Sequence, residues 1–271
     1  MMIDGKTTLH GIMGNPVSHS LSPAMHNAAF RHLGLNSVYL PFPVADVGPA
    51  IKGLAAIGVR GVSVTIPHKE AVIPFLDEID PVAERIGAVN TLDFQDGRVR
   101  GSNSDWLGAN RALAEKMELA GSHVLLLGAG GSARALGFGL QEAGAQVSIA
   151  SRTREKGEAL ARSLACPWHD LAEIAGLTAD AVVNATSVGM GEMAHLSLVP
   201  AEAVKNFPLV MDIVYAPLET RLLKEAKAAG CEVIDGLAML LYQGAAQFEL
   251  WTGQKAPVTV MAAALRSGLG L

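Results

Sequence analysis

Cysteine is almost missing from this 271-residue chain: Cys166 and Cys231 are the only two, and neither sits in a CxxC pair. Two cysteines are too few for a disulfide framework. His19 and His26 stand seven apart without ligand spacing to either cysteine, so no metal site is expected. Runs of basic residues are missing as well, and the net charge is −5, which argues against a nucleic-acid partner. No uninterrupted apolar stretch reaches the roughly 18 residues of a membrane-span candidate. The opening "MMIDGKTTLHGIMGNP" has no basic region followed by a long apolar run, so no signal peptide is expected. What remains is half apolar, enough to bury a large core, with 29 glycines and 13 prolines spread along the chain as turn formers. The expectation is a cytoplasmic α/β protein, away from membranes, of a length that suits two domains.

The first third alternates strand and helix signals. "LHGIMG" predicts a strand, and "SPAMHNAAFRHLG" a helix capped by Ser22, begun by Pro23 and stopped at Gly34. "SVYLPFPV" is extended, "DVGPAIKGLAAIG" helical and "VRGVSVTI" a β-branched strand. A helix is expected after Pro67 and a short one over "PVAERIG", and "AVNTLDF–QDG–RVRGSN" predicts a hairpin turning at Asp96-Gly97. From residue 123 the apolar cores "VLLL", "VSIA", "AVVNA", "LVMDIV" and "EVID" alternate with helical segments. That rhythm predicts a parallel sheet covered on both faces, a Rossmann-like domain. After Gly236 come an almost wholly apolar helix and a last helix beyond Pro257, expected to pack back on the first domain. The predicted architecture is two lobes with a cleft between them: 1–104 plus 238–271 for a substrate, 105–237 for a nucleotide.

"HVLLLGAGGSARALGFGLQEAG" places Gly128, Gly130 and Gly131 after a strand and before a helix. Such glycines let the backbone approach a pyrophosphate, which the free N–H groups and dipole of the helix start then hold. An NAD site usually carries an acid at the end of the second strand, for the ribose 2′-hydroxyl. This chain has Ser151, Arg152, Thr153 and Arg154 there instead. Arginines and hydroxyls bind a 2′-phosphate that a carboxylate would repel, so NADP is the expected cofactor. Asn184 and Thr186 in "VNATSVGM", and Tyr215 and Pro217 in "DIVYAPLET", follow strand ends, where open α/β sheets bind ligands.

In "VSVTIPHKEAVIPFLD" Lys69 is expected in the first turn of the helix after Pro67, where the dipole disfavours a cation and lowers its pKa. A lysine poised to exchange a proton suits carbonyl reduction. Ser20 and Ser22 lie two apart, so an extended backbone would aim both hydroxyls one way, towards a carboxylate at the helix start. His68 reads as structural. Asp105, in "GSNSDWLGANRALAEK", reads equally as a helix cap or as half of a catalytic pair.

Together the segments "GNPVSHSLSPAMHN", "VSVTIPHK", "GAVNTL", "GSNSDWLG", "GAGGSARA", "SRT", "NATSVGM", "DIVYAPLET" and "GLAMLLYQ" resemble the shikimate dehydrogenase family, in order and over nearly the whole chain. The resemblance implies NADP-linked, reversible reduction of 3-dehydroshikimate to shikimate, on the way to chorismate and the aromatic amino acids. It implies that Ser20 and Ser22 hold the substrate carboxylate and that Thr65, Asn90, Tyr215 and Gln243 contact the ring hydroxyls. Lys69 and Asp105 become the catalytic pair, also touching substrate. Cofactor contacts fall on Gly128, Ala129, Gly130, Gly131 and Ser132, on Ser151, Arg152, Thr153 and Arg154, and on Ile213 and Gly236. The protein is expected to act on a small molecule as a monomer or a homodimer.

Three positions depart from the family pattern: Ser63 replaces Asn, Ser104 replaces Thr, and Trp106 replaces Gly. The tryptophan, beside the proposed acid, leaves three roles open: reshaping the pocket, altering closure, or packing under the hairpin. It keeps a paralogue acting on quinate or aminoshikimate in view. A catalytically idle NADP-binding regulator is disfavoured by the retained Lys69 and Asp105, and a folate dehydrogenase by the paired serines.

Overall fold

A computed structural model describes residues 3–271. The chain forms two compact units, one of residues 1–104 with 241–271 and the other of residues 105–240.

The first unit is built on a mixed six-stranded sheet in the order β2-β1-β3-β5-β6-β4. Its chain runs β1 (Thr8–Gly14), α1 (Ser22–His32), β2 (Ser37–Pro43), α2 (Val47–Ala56), β3 (Gly61–Val64), β4 (Glu78–Ile79), α3 (Pro81–Ile86), β5 (Thr91–Gln95) and β6 (Arg98–Ser102). β1 pairs in parallel with β2 and β3, whereas β5 runs antiparallel to both β3 and β6. The β5–β6 hairpin turns at Asp96 and Gly97, with φ of 51° and 73°. Two successive positive φ values give the twist that a two-residue hairpin needs. One face of this sheet buries Met13, Ile51, Val62, Val72 and Leu92 in a common core.

Two local expectations fail here. Ser22 is the first residue of α1 and not its cap; Leu21 holds the cap position, and the Ser22 N–H is taken by the Ser20 hydroxyl at 3.2 Å. The segment before α1 is accordingly a turn, closed by Ser20 N–H donating to Val17 O at 3.1 Å, and not extended chain. Nor does a helix follow Pro67. The stretch runs through turns into one short 3₁₀ turn, Ile73–Phe75. Pro74 contributes to this: it lacks an N–H and disfavours helix in Ile73 before it.

The second unit begins with α4 (Asp105–Ala114) and continues β7 (His123–Leu127), α5 (Gly131–Glu142), β8 (Gln146–Ser151), α6 (Arg154–Ser163), β9 (Trp168–Asp170), β10 (Ala181–Asn184), β11 (Leu209–Asp212), α7 (Arg221–Ala228) and β12 (Glu232–Ile234). Its six strands are all parallel, ordered β12-β11-β10-β7-β8-β9, so the direction of winding reverses between β7 and β10. β7, β10 and β11 are buried along their lengths apart from His123, as a sheet covered on both faces requires. This is the expected Rossmann-like arrangement, with β9 as an edge strand too short to announce itself in sequence. α8 (Gly236–Thr252) carries the chain from the second unit back into the first, where α9 (Val258–Gly268) packs on α1.

Candidate active site

In the first unit, the expected substrate residues sit at strand ends and on α8. Thr65 follows β3, and its N–H donates to Met13 O at 2.9 Å. Lys69 is half-buried in the turns beyond Pro67, and its carbonyl accepts from Val89 N at 2.8 Å, tying the loop to the start of β5. With no helix behind it, the dipole argument for Lys69 lapses. Asn90 and Gln243 are both buried and face each other, the Asn90 amide nitrogen lying 3.5 Å from Gln243 Oε1. Ser22 is buried and Ser20 half-buried. His68 is a structural residue as expected: it is buried, with Nε2 2.7 Å from Val44 O.

In the second unit, Asp105 is a buried carboxylate on the first turn of α4. Its neighbour Trp106 lies against α5. A Cβ on Gly139 would stand 2.6 Å from Trp106 Cβ, so the glycine is what admits the ring, and Asn110 on the same helix donates to Gly139 O at 2.6 Å. The tryptophan therefore packs on a helix of its own unit.

A groove of about 340 Å³ opens at the C-terminal ends of β7, β8 and β10. Gly128, Ala129, Gly130, Ser151, Arg152, Thr153 and Thr186 line it. Gly128 has φ of +115°, and a Cβ there would meet Thr186 Cγ2 at 2.7 Å, so only glycine fits. Beside Gly130 and Gly131 there is open space, and the N-terminus of α5 has no side-chain cap. These features fit a pyrophosphate laid on free backbone N–H groups. Lys156, which sequence reasoning passed over, also lines the groove, and no carboxylate does. It lies in the first turn of α6, just past Ser151 to Thr153, and that nearness in sequence was the available signal. Arg154 is placed elsewhere: its guanidinium lies 4.7 Å over the Trp168 ring and 3.4 Å from Glu158.

Asn184 does not line the groove. It is buried, donating to Asp212 Oδ1 and to Val188 O at 2.9 Å each, while its own carbonyl accepts from the Thr186 hydroxyl at 2.7 Å. Asp212 also accepts from Thr220 Oγ1 at 2.8 Å and Val214 N at 3.0 Å. Burial raises its pKa, and these hydrogen bonds oppose the rise. The knot fixes the ends of β10 and β11 and hence Thr186, Ile213 and Tyr215. Burial also raises the Tyr215 phenol, which stays protonated. Gly236 completes the corner, since a Cβ there would come within 2.6 Å of Ile213 O.

Comparison with known proteins bears directly on this geometry. Three family models match: Shikimate dehydrogenase substrate binding domain over residues 12–92, Shikimate / quinate 5-dehydrogenase over 110–213, and Shikimate 5'-dehydrogenase C-terminal domain over 236–266. The chain belongs to the shikimate dehydrogenase family. This is a family of NADP-linked oxidoreductases acting on a CH–OH group. The shikimate dehydrogenase (NADP(+)) of Methanothermobacter thermautotrophicus is 48% identical over 277 residues, covering 98% of each chain. A shikimate dehydrogenase crystallised in complex with NADP+ superposes with a TM-score of 0.93 at 42% identity, over 98% of this chain and 97% of its own. The Thermus thermophilus shikimate 5-dehydrogenase, solved with NADP(H) and shikimate, gives 0.89 at 41% identity, over 97% and 100%. The shikimate dehydrogenase fold thus extends through both units of this chain.

Proposed function

We propose that this chain catalyses the NADP-linked, reversible reduction of 3-dehydroshikimate to shikimate, with Lys69 and Asp105 as its catalytic pair. The observation that carries the reading is the groove of the second unit: Arg152 and Lys156 without a carboxylate, beside a glycine turn that only Gly128 can make. When bound, NADPH supplies the hydride for the ring carbonyl. Lys69 Nζ holds the proton that the developing alkoxide needs and stabilises its charge. Asp105 orients Lys69 and a substrate hydroxyl. Ser20 and Ser22 hold the carboxylate, while Thr65, Asn90, Tyr215 and Gln243 take the ring hydroxyls. Gly128 to Ser132 cradle the pyrophosphate; Ser151, Arg152, Thr153 and Lys156 hold the 2′-phosphate; Thr186, Ile213 and Gly236 shape the nicotinamide end.

Two free, half-buried cysteines suit a reducing compartment, and no helix among the described residues is long and apolar enough to cross a membrane. The enzyme is read as cytoplasmic, which the free thiols support, and as a monomer or a homodimer. Initial rates with shikimate and quinate, each with NADP and NAD, test the assignment. The fastest turnover is expected with shikimate and NADP. No turnover with that pair ends the reading, and a preference for quinate moves the chain to a paralogue.

A further inference from the structure

The first unit contains a buried chain of side-chain hydrogen bonds whose direction can be deduced. The Asn90 backbone carbonyl already accepts from Val64 N at 2.7 Å and can only accept. The group that meets it from α8 at 3.1 Å is therefore the amide nitrogen of Gln247, which also donates to Thr91 Oγ1 at 2.9 Å. That turns Gln247 Oε1 towards Ser63, 2.6 Å away. An amide oxygen only accepts, so the Ser63 hydroxyl donates to it, and Ser63 in turn receives the Tyr39 hydroxyl at 2.6 Å.

A second anchor fixes the other end. The Ser104 N–H can only donate, and it meets Asn90 Oδ1 at 2.8 Å. Thr91, having received the Gln247 amide, gives its own proton to the same oxygen at 2.7 Å. With its oxygen held by two donors, Asn90 has one available orientation. Its amide nitrogen faces Ser104 Oγ at 3.1 Å and Gln243 Oε1 at 3.5 Å. Ser63 and Thr91 are directly opposed in the β3–β5 ladder, which is how one glutamine bridges both. All of these side chains are buried.

We propose that Tyr39, Ser63, Gln247 and Thr91 are positioning residues, which lock Asn90 as a hydrogen-bond donor to the substrate ring. A neutral asparagine otherwise offers donor and acceptor with equal ease. The lock selects a ligand oxygen at that point and rejects a bare donor, so it acts on specificity through Asn90. The longer contact to Gln243 is the one a ring hydroxyl bridges. Ser63, a departure from the family pattern, is the link that passes the order from Tyr39 to Gln247. This inference rests on the reading of Asn90 as a substrate contact.

The test is a double-mutant cycle on the full-length enzyme, read as kcat/KM for shikimate and KM for NADP. Thr91→Val removes the donor to Asn90 Oδ1 while keeping the shape of the side chain. It is expected to lower kcat/KM for shikimate about tenfold, the scale of one buried hydrogen bond left unmade. KM for NADP is expected to stay unchanged, and Thr91→Ser to restore the rate. Because Thr91 acts through Asn90, Thr91→Val is expected to have no further effect in an Asn90→Ala background. A loss that is fully additive in that background overturns the inference, as does a Thr91→Val enzyme within about twofold of the parent. If Asn90→Ala itself leaves kcat/KM for shikimate untouched, the substrate contact is wrong and the inference falls with it. Should Thr91→Val fail to fold, Ser63→Ala breaks the same chain at another link and is read by the same cycle.

Discussion

The two units solve the problem of holding a polar ligand in opposite ways. The first buries polar side chains, among them Ser63, Asn90, Thr91 and Gln247, and orders them into a network with fixed donor directions. The second presents backbone to its groove: a glycine turn and the start of α5, with the charged Arg152 and Lys156 at the exposed rim. The difference follows from the ligands. A phosphate accepts hydrogen bonds from any direction, so repeating N–H groups suffice. A ring bearing several hydroxyls has donors and acceptors at set angles, and only oriented side chains tell it from its isomers.

The comparison is broken most severely where chemistry replaces binding. Lys69→Ala is expected to cut turnover by about 10² or more, the typical worth of a general acid–base, with little change in shikimate binding. Pre-steady-state hydride transfer measured alongside equilibrium titration separates the two. An unaffected rate removes Lys69 from the mechanism.

At the rim of the second unit, Arg152→Ala is expected to raise KM for NADP by roughly tenfold or more, the scale of a lost hydrogen bond to a charged group, and to leave KM for NAD nearly unchanged. Equal changes in both would show that the groove does not read the 2′-phosphate there.

How much of this was legible in sequence depends on how far apart the cooperating residues lie. The glycine turn, β7, β8 and α5 are contiguous, and the strand–turn–helix pattern announced them, as it did the all-parallel sheet. The Tyr39–Ser63–Gln247–Thr91 chain joins residues up to 184 apart in sequence, for Ser63 with Gln247, and no local pattern marks it. The helix expected after Pro67 does not form, because a proline start signals a helix only where the chain beyond it can continue one, and Pro74 interrupts it. Ser-Pro commonly begins a helix and so predicts a Ser22 cap, but the Ser20 hydroxyl supplies the accepting oxygen instead. Trp106 stood out as a substitution; what accommodates it, Gly139, lies on another helix and is silent in sequence.

Acid should separate the units next. The first buries His10 and His26 among Phe30, Tyr39, Phe248 and Trp251, and neither ring nitrogen of either histidine finds a hydrogen-bond partner. Burial lowers the pKa of His10 to about 4 and of His26 to about 3, with Arg60 adding to the effect at His10 and His10 at His26. Above the ordinary value of 6.5 both rings are neutral folded or unfolded and contribute no pH dependence. Below it the unfolded chain gains protons that the fold refuses, so stability falls as pH drops from 6.5 through about 4 and then 3. Denaturant titrations between pH 7 and 4, followed by tryptophan fluorescence, are expected to show a steeper acid limb for the parent than for His26→Phe. Parallel limbs would mean that His26 already titrates normally in the fold.

The smallest effect is expected at Arg154, and it sharpens the account of the rim. Arg152 and Arg154 look alike in "SRTREK", yet only Arg152 lines the groove. Arg154 is stacked over Trp168, whose Nε1 donates to Ser151 Oγ at 2.9 Å, and it pairs with Glu158 in an exposed i,i+4 contact. Exposed pairs of this kind contribute little to stability, and the stacked guanidinium is already committed to the ring. Arg154→Ala is therefore expected to change KM for NADP by less than about threefold, against the larger loss at Arg152. An equal or greater loss at Arg154 would require the guanidinium to leave Trp168 when the nucleotide binds. The 2′-phosphate site would then be assembled by the ligand instead of standing ready on the sheet.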